Sequence, residues 1–146
     1  MIEKYNEFFE EYKEFIKNNS EYEPRVVKIN TNSSSYFPLI TMTLSNTVST
    51  DNCTIDKIEY YEQQYYTINI FTKDKIIGSN ETVASQIIND ELTSLTIQFF
   101  EKLNMKRTQC TYIPNFDTSV LRRNINYQGM IGNVRGNIIR RWFKWL

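Results

Sequence analysis

The most constraining feature of this chain is an apolar stripe: Ala84, Ile88, Leu92, Leu95, Phe99 and Leu103 recur at three- and four-residue steps, with Val83 and Ile87 beside them. That spacing predicts a helix running to about Asn104. The stretch "GSNE" (78–81) precedes it, offering Ser79 and Asn80 as N-caps and Glu81 in the first turn, where the helix dipole favours an acid. So wide an apolar face has to be covered, and the rest of the chain reads as a sheet able to cover it.

A second helix is expected over residues 2–18, where Ile2, Tyr5, Phe9, Tyr12 and Ile16 keep the same rhythm and Phe8 and Phe15 widen the stripe. Its outer face carries Glu3, Glu7, Glu10, Glu11 and Glu14, so acids meet acids at four-residue spacing, and the face gains little from internal ion pairs. Pro24 stops this helix, and "RVVKI" begins extended structure. Residues 39–44 alternate as a half-buried strand, and 46–53 read as a loop. In "KIEYYEQQYYTINIFTK" Tyr66, Ile68 and Ile70 alternate with Tyr65, Thr67, Asn69 and Phe71; two antiparallel strands turning around 62–64 are expected, with one long bent strand as the alternative. "MKRTQCTYI" is a further strand. In "SVLRRNINYQGMIG" Leu121, Ile125 and Tyr127 form one face, while Arg123 falls on that apolar face near its edge. A turn through Asn133 to Gly136 would close a C-terminal β-hairpin with "NIIRRWFKWL" as its second strand or tail.

The expected architecture is therefore a single α+β domain over residues 1–146. A mixed, mostly antiparallel sheet packs against the N-terminal helix and the long central one, with a C-terminal hairpin and a tail (140–146) docking on a partner or on its own core.

Chemistry is sparse. The chain has no histidine, which removes the commonest acid–base side chain and metal ligand, and no GxxxxGK[ST], GxGxxG, HExxH or GxSxG motif occurs. Cys53 and Cys110 fit no metal or redox spacing and read as reduced, buried small hydrophobes. Asp90, Glu91 and Glu101 lie too far apart along one helix to gather a metal ion. The reading is non-enzymatic, with no cofactor and no bound metal, and the acidic, helix-periodic start resembles neither a signal peptide nor a membrane span.

Charge is the informative quantity. The formal net charge is zero, yet residues 1–101 hold 8 basic and 16 acidic side chains, and residues 102–146 hold 9 basic and 1 acidic. Arg122, Arg123, Arg135, Arg140 and Arg141, interleaved with Tyr127, Trp142, Phe143 and Trp145, have the composition of a protein interface, which Trp, Tyr and Arg dominate. They also suit a nucleic-acid surface, which is the alternative reading, but the acid-rich front half would repel a polyanion. Glu7, Glu10 and Glu14 are the matching acidic candidates, and an acidic front against a basic back suits head-to-tail contacts between copies.

The order of elements resembles the small head-to-tail joining and tail terminator proteins of tailed bacteriophages: N-terminal helix, strands, a long helix opening near Ser79, a strand, then Asp117 followed by "DTSVLRRNINYQGMIG". In that family a mixed sheet packs against helices, and Arg122 and Arg123 match its late-strand arginine position. The resemblance implies a non-enzymatic virion protein at the head–tail neck, assembled in the host cytoplasm. It implies a homo-oligomeric ring, typically a hexamer, that caps the tail tube, docks on the connector and lets DNA pass without binding it specifically; no membrane partner is implied.

Overall fold

The computed structural model describes residues 5–28, 36–49, 54–55, 58–59, 61–77, 81–114 and 119–132. In chain order the elements are α1 (Tyr5–Asn19), β1 (Arg25–Val27), β2 (Leu39–Ser49), β3 (Thr54–Ile55), β4 (Ile58–Glu59), β5 (Tyr61–Thr72), β6 (Lys75–Ile77), β7 (Glu81–Val83), α2 (Ser85–Lys102), β8 (Lys106–Ile113) and β9 (Leu121–Gly132). The fold is α+β, as its alternating and helix-periodic segments predict. Five strands form one sheet in the order β1-β2-β5-β9-β8, with β1 parallel to β2 and every other pair antiparallel. β3 with β4 and β6 with β7 make two small separate hairpins.

Both helices lie on one face of the sheet. α1 buries Phe8, Phe9, Tyr12 and Ile16, the expected stripe, against Ile40, Met42, Tyr66 and Ile68 from the strands. α2 adds Ile88, Leu92, Phe99 and Phe100 to the same core. Phe100 is the common neighbour: it stacks on Tyr127 at 4.4 Å between centroids and meets Phe99, Tyr12 and Tyr66 at 5.3, 5.8 and 6.4 Å. Gly129 permits close packing of β9, since a Cβ there would stand 2.8 Å from Met105 Cγ.

Four expectations are corrected. Residues 62–64 are not a turn: β5 is one continuous strand, and Glu62, Gln63 and Gln64 pair with both β2 and β9, so doubly bonded backbone outweighs local polarity. Residues 46–49 are not a loop but the end of β2, which continues past a bulge between Leu44 and Asn46. Glu81 lies not in a helical turn but in a strand, β7, opposite Ile77, and α2 starts only at Ser85. The N-cap position is Ala84, and the first-turn N–H at Ser85 is satisfied from outside the helix by Asp74 Oδ1 at 2.7 Å; the expected caps Ser79 and Asn80 lie outside the described residues. Finally, Ile87, expected beside the apolar stripe, is 57 % exposed, whereas the polar Asn89, Thr93 and Thr96 are buried next to that stripe.

Those three polar side chains are satisfied. Asn89 Nδ2 donates to Ile70 O and Thr72 Oγ1 at 3.3 and 3.2 Å, and Thr93 Oγ1 donates to Asn89 Oδ1 at 3.3 Å. Thr96 Oγ1 lies 2.6 Å from the Tyr12 hydroxyl, a bond that joins the two helices inside the core. Burial pushes that hydroxyl well above its ordinary pKa, so it remains a neutral donor.

Replacing Phe100 with alanine removes the ring shared by both helices and by β5 and β9. The expected loss is about 3–5 kcal/mol of unfolding free energy, measured by urea denaturation, against well under 1 kcal/mol for an exposed control such as Gln98→Ala.

Candidate interaction surface

Two surfaces of opposite charge stand on opposite sides of the sheet. α1 lies over the β1–β2 side: the Tyr5 hydroxyl donates to Met42 O of β2 at 2.6 Å, and Lys28, just past β1, reaches Asn6 Oδ1. Its solvent side displays Glu7, Glu10, Glu11 and Glu14, all exposed. The opposite edge is β8, whose Lys106 and Arg107 are exposed and which carries no acid. Four interstrand steps separate β1 from β8, roughly 19 Å.

β8 is an eight-residue edge strand, and among the described residues only β9 pairs with it. A bulge between Arg107 and Gln109 interrupts its ladder, with Thr108 Oγ1 donating to Asn126 O at 3.3 Å. Cys110, a free thiol, is half-buried and packs against the core. Cys53 lies outside the described residues.

The paired arginines of β9 separate. Arg122 lies on the face away from the helices, with its guanidinium 5.4 Å from the Phe71 ring. Its Nε and Nη2 donate to Asn69 Oδ1 at 3.3 and 3.2 Å, the same oxygen that accepts from Asn124 Nδ2 at 3.0 Å. A line of amides continues through Asn126, which donates to Asn124 Oδ1 and Gln109 Oε1, each at 3.0 Å, and accepts from Thr67 at 2.9 Å. Arg123 lies on the helix side, packed 4.0 Å above the Tyr112 ring, and pairs with Asp90 of α2 at 3.0 Å. The apolar-face arginine thus meets an acid, but an exposed one: the side chains are 15 % and 54 % exposed. Tyr112 also donates to Asp90, and burial together with that bond pushes its hydroxyl pKa up, opposed by Arg123.

Tyr127, grouped by sequence with the interface residues, is instead a core side chain, 1 % exposed beneath Phe100. Burial pushes its hydroxyl up to about 12. Arg122 and Arg123, on opposite faces and bonded within the chain, do not form one patch. Glu7, Glu10 and Glu14 are at the surface as expected. Arg135, Arg140, Arg141, Trp142, Phe143 and Trp145, with the expected C-terminal hairpin, lie outside the described residues.

One acidic cluster went unnoticed in the sequence because its members are distant there. Glu21, Tyr22 and Glu91 meet where the end of α1 approaches α2; burial and the Glu21 charge raise the Glu91 pKa, opposed by the Tyr22 hydrogen bond. Among the described residues no three His, Cys, Asp or Glu side chains are grouped to hold a metal, and no helix is long and apolar enough to cross a membrane. No protein-family model matches the chain and no curated protein matches it, so a functional reading rests on the charge and geometry of these surfaces.

Removing the Asp90 carboxylate strands a mostly buried guanidinium. Asp90→Ala is expected to cost about 1–2 kcal/mol by urea denaturation, less than a fully buried pair because water reaches the aspartate. Glu91 gives a pH signature. Its folded pKa is raised, so its contribution favours folding below the unfolded value and is lost as pH rises through the folded one. Glu91→Gln, which keeps an acceptor for Tyr22, is expected to raise the thermal midpoint at pH 7 and to do so less at pH 4, as read by calorimetry.

Proposed function

We propose that this chain is a non-enzymatic assembly protein, a ring-forming tail terminator or neck subunit of a tailed bacteriophage that caps the tail tube and joins it to the head. The observation that carries the reading is the placement of the acidic face of α1 and the basic edge strand β8 on opposite sides of one sheet. A ring needs a heterologous contact, in which one surface of a subunit meets a different surface of the next. Acids on one flank and bases on the other favour that contact and disfavour like-with-like pairing. The α+β fold, with two helices on one face of a mixed sheet, is compatible with the resemblance to the head-to-tail joining proteins.

The proposed contact uses a different pair of cations from the one that the sequence suggests. Lys106 and Arg107 replace Arg122 and Arg123 as the basic partners, because the latter pair is held by Asn69 and Asp90 within the subunit. Glu7, Glu10 and Glu14 keep their role. In this reading tail tube and connector proteins bind the two flat sides of the ring, DNA passes through its centre, and the protein resides at the virion neck.

Charge exchange tests the proposal. Lys106→Glu with Arg107→Glu, or Glu10→Lys with Glu14→Lys, is expected to weaken self-association at least about tenfold in sedimentation velocity. The chain carrying all four changes should recover association with itself. A strict monomer at every concentration, with and without tail tube protein, would overturn the reading.

A further inference from the structure

Adjacent arginines of β9 are treated differently by the fold. Arg123, on the helix side, is answered by Asp90, whereas Arg122, half-buried on the other face, meets no carboxylate among the described residues. Its charge is eased only by the Phe71 ring and by the dipole of Asn69, whose Oδ1 takes two of the five guanidinium N–H groups. Holding a cation partly out of water without a counter-charge is costly, so a site that does so suits an anion from outside the chain.

The surroundings of Arg122 have the same bias. Strand register sets Ile113, Thr111, Gln109 and Lys106 of β8 beside Arg122, Asn124, Asn126 and Gln128 of β9 on this face. No acid occupies this face of β5, β9 or β8, although the chain has 17. Hydrogen bonds join the side chains into one strip, from Arg122 through Asn69, Asn124 and Asn126 to Gln109, whose Nε2 donates to Thr111 Oγ1 at 3.3 Å. The amide oxygens of Asn69, Asn124, Asn126 and Gln109 all accept from neighbours within this network. Donors are left over: the remaining N–H groups of Arg122, the second amide hydrogen of Gln109 and the hydroxyl hydrogen of Thr111, the last two on exposed side chains.

A surface that offers donors and has its acceptors occupied favours a ligand that only accepts, a phosphate over a sugar, whose hydroxyls need both. From Arg122 to Gln128, which lies opposite Lys106, the strip runs six residues along β9, about 20 Å. A single anion does not fill that length, and a polymer with a regular row of phosphates does. We propose that this face of β8 and β9 binds the phosphodiester backbone of a nucleic acid, without regard to base sequence, through Arg122, Gln109, Thr111 and Lys106. The acids of α1 do not oppose it. They stand on the solvent side of a helix packed against the other face, more than a helix diameter of about 10 Å away, beyond the ~8 Å Debye length at physiological salt. Only Lys106 is shared with the contact assigned to self-association, so the inference does not need the ring.

Fluorescence anisotropy of a short labelled DNA duplex, titrated with the full-length protein at low salt, tests it. Binding is expected, with log affinity falling linearly as log salt rises. Gln109→Glu puts a carboxylate into the strip with almost no change of shape, and Gln98→Glu makes the same change on the exposed side of α2. The first is expected to weaken binding about tenfold and the second to leave it nearly unchanged. Arg122→Gln, which can still donate to Asn69, is expected to reduce the salt slope by about one. Absence of binding at low salt, equal effects of the two glutamates, or competition by polyglutamate of matched charge as strong as that by unlabelled duplex overturns the inference. Sedimentation separates the two readings: a strict monomer that binds the duplex as expected overturns the ring alone.

Discussion

The fold depends on a shared aromatic contact at Phe100. Its ring is the point at which α1, α2, β5 and β9 meet, through Tyr12, Phe99, Tyr66 and Tyr127. Because the ring stacks flat on Tyr127, at 12° between planes, α2 is seated directly over β9, and β8 is carried along as the strand beside it. α1 is then confined to the remaining half of the sheet, over β1 and β2. The separation of acidic and basic surfaces is thus a by-product of core packing, since the helix that bears the acids has no place on the β8 side.

Polar chemistry inside the fold is used mainly for location. Asn89 ties α2 to β5, Thr96 ties it to α1, and Asp90 ties it to β9, so the helix is fixed in rotation as well as in position. Hydrophobic burial alone is non-directional and would tolerate a turn of the helix about its axis. On the far face, Asn69 Oδ1 accepts three hydrogen bonds and holds Arg122 against the sheet. This cation is half-buried and gives two of its donors to that oxygen, while Lys106 and Arg107 face solvent.

Elements with a strong local period were readable in advance: the stripe of α1 survives residue for residue within the described range, and Tyr66, Ile68 and Ile70 face the core as their alternation indicates. What was misread depended on partners distant in sequence. Glu62 to Gln64 look like a turn until β2 and β9 are placed on either side, and Asn89, Thr93 and Thr96 look misplaced until Ile70, Thr72 and Tyr12 arrive to bond them. The β6–β7 hairpin was misread, because Ser79, Asn80 and Glu81 have the composition of a helix cap and Val83 continues the stripe of α2, while Glu81–Val83 pair with Lys75–Ile77 as a strand. The arginine pair illustrates a different limit: adjacent residues on a strand point to opposite faces, so a dense run of charge in one dimension is divided in three.

The bulge in β8 has a consequence for the open edge of the sheet. An exposed edge strand is a template on which another chain can extend a sheet, and a regular one invites open-ended growth. In β8 the ladder is broken after Arg107, and Lys106 and Arg107 stand at the interrupted end. Two such edges approaching in parallel would bring their cations together, and approaching antiparallel they would bring an irregular stretch against a regular one. The interrupted, cationic edge is thereby a poor template for regular sheet growth between copies of the chain.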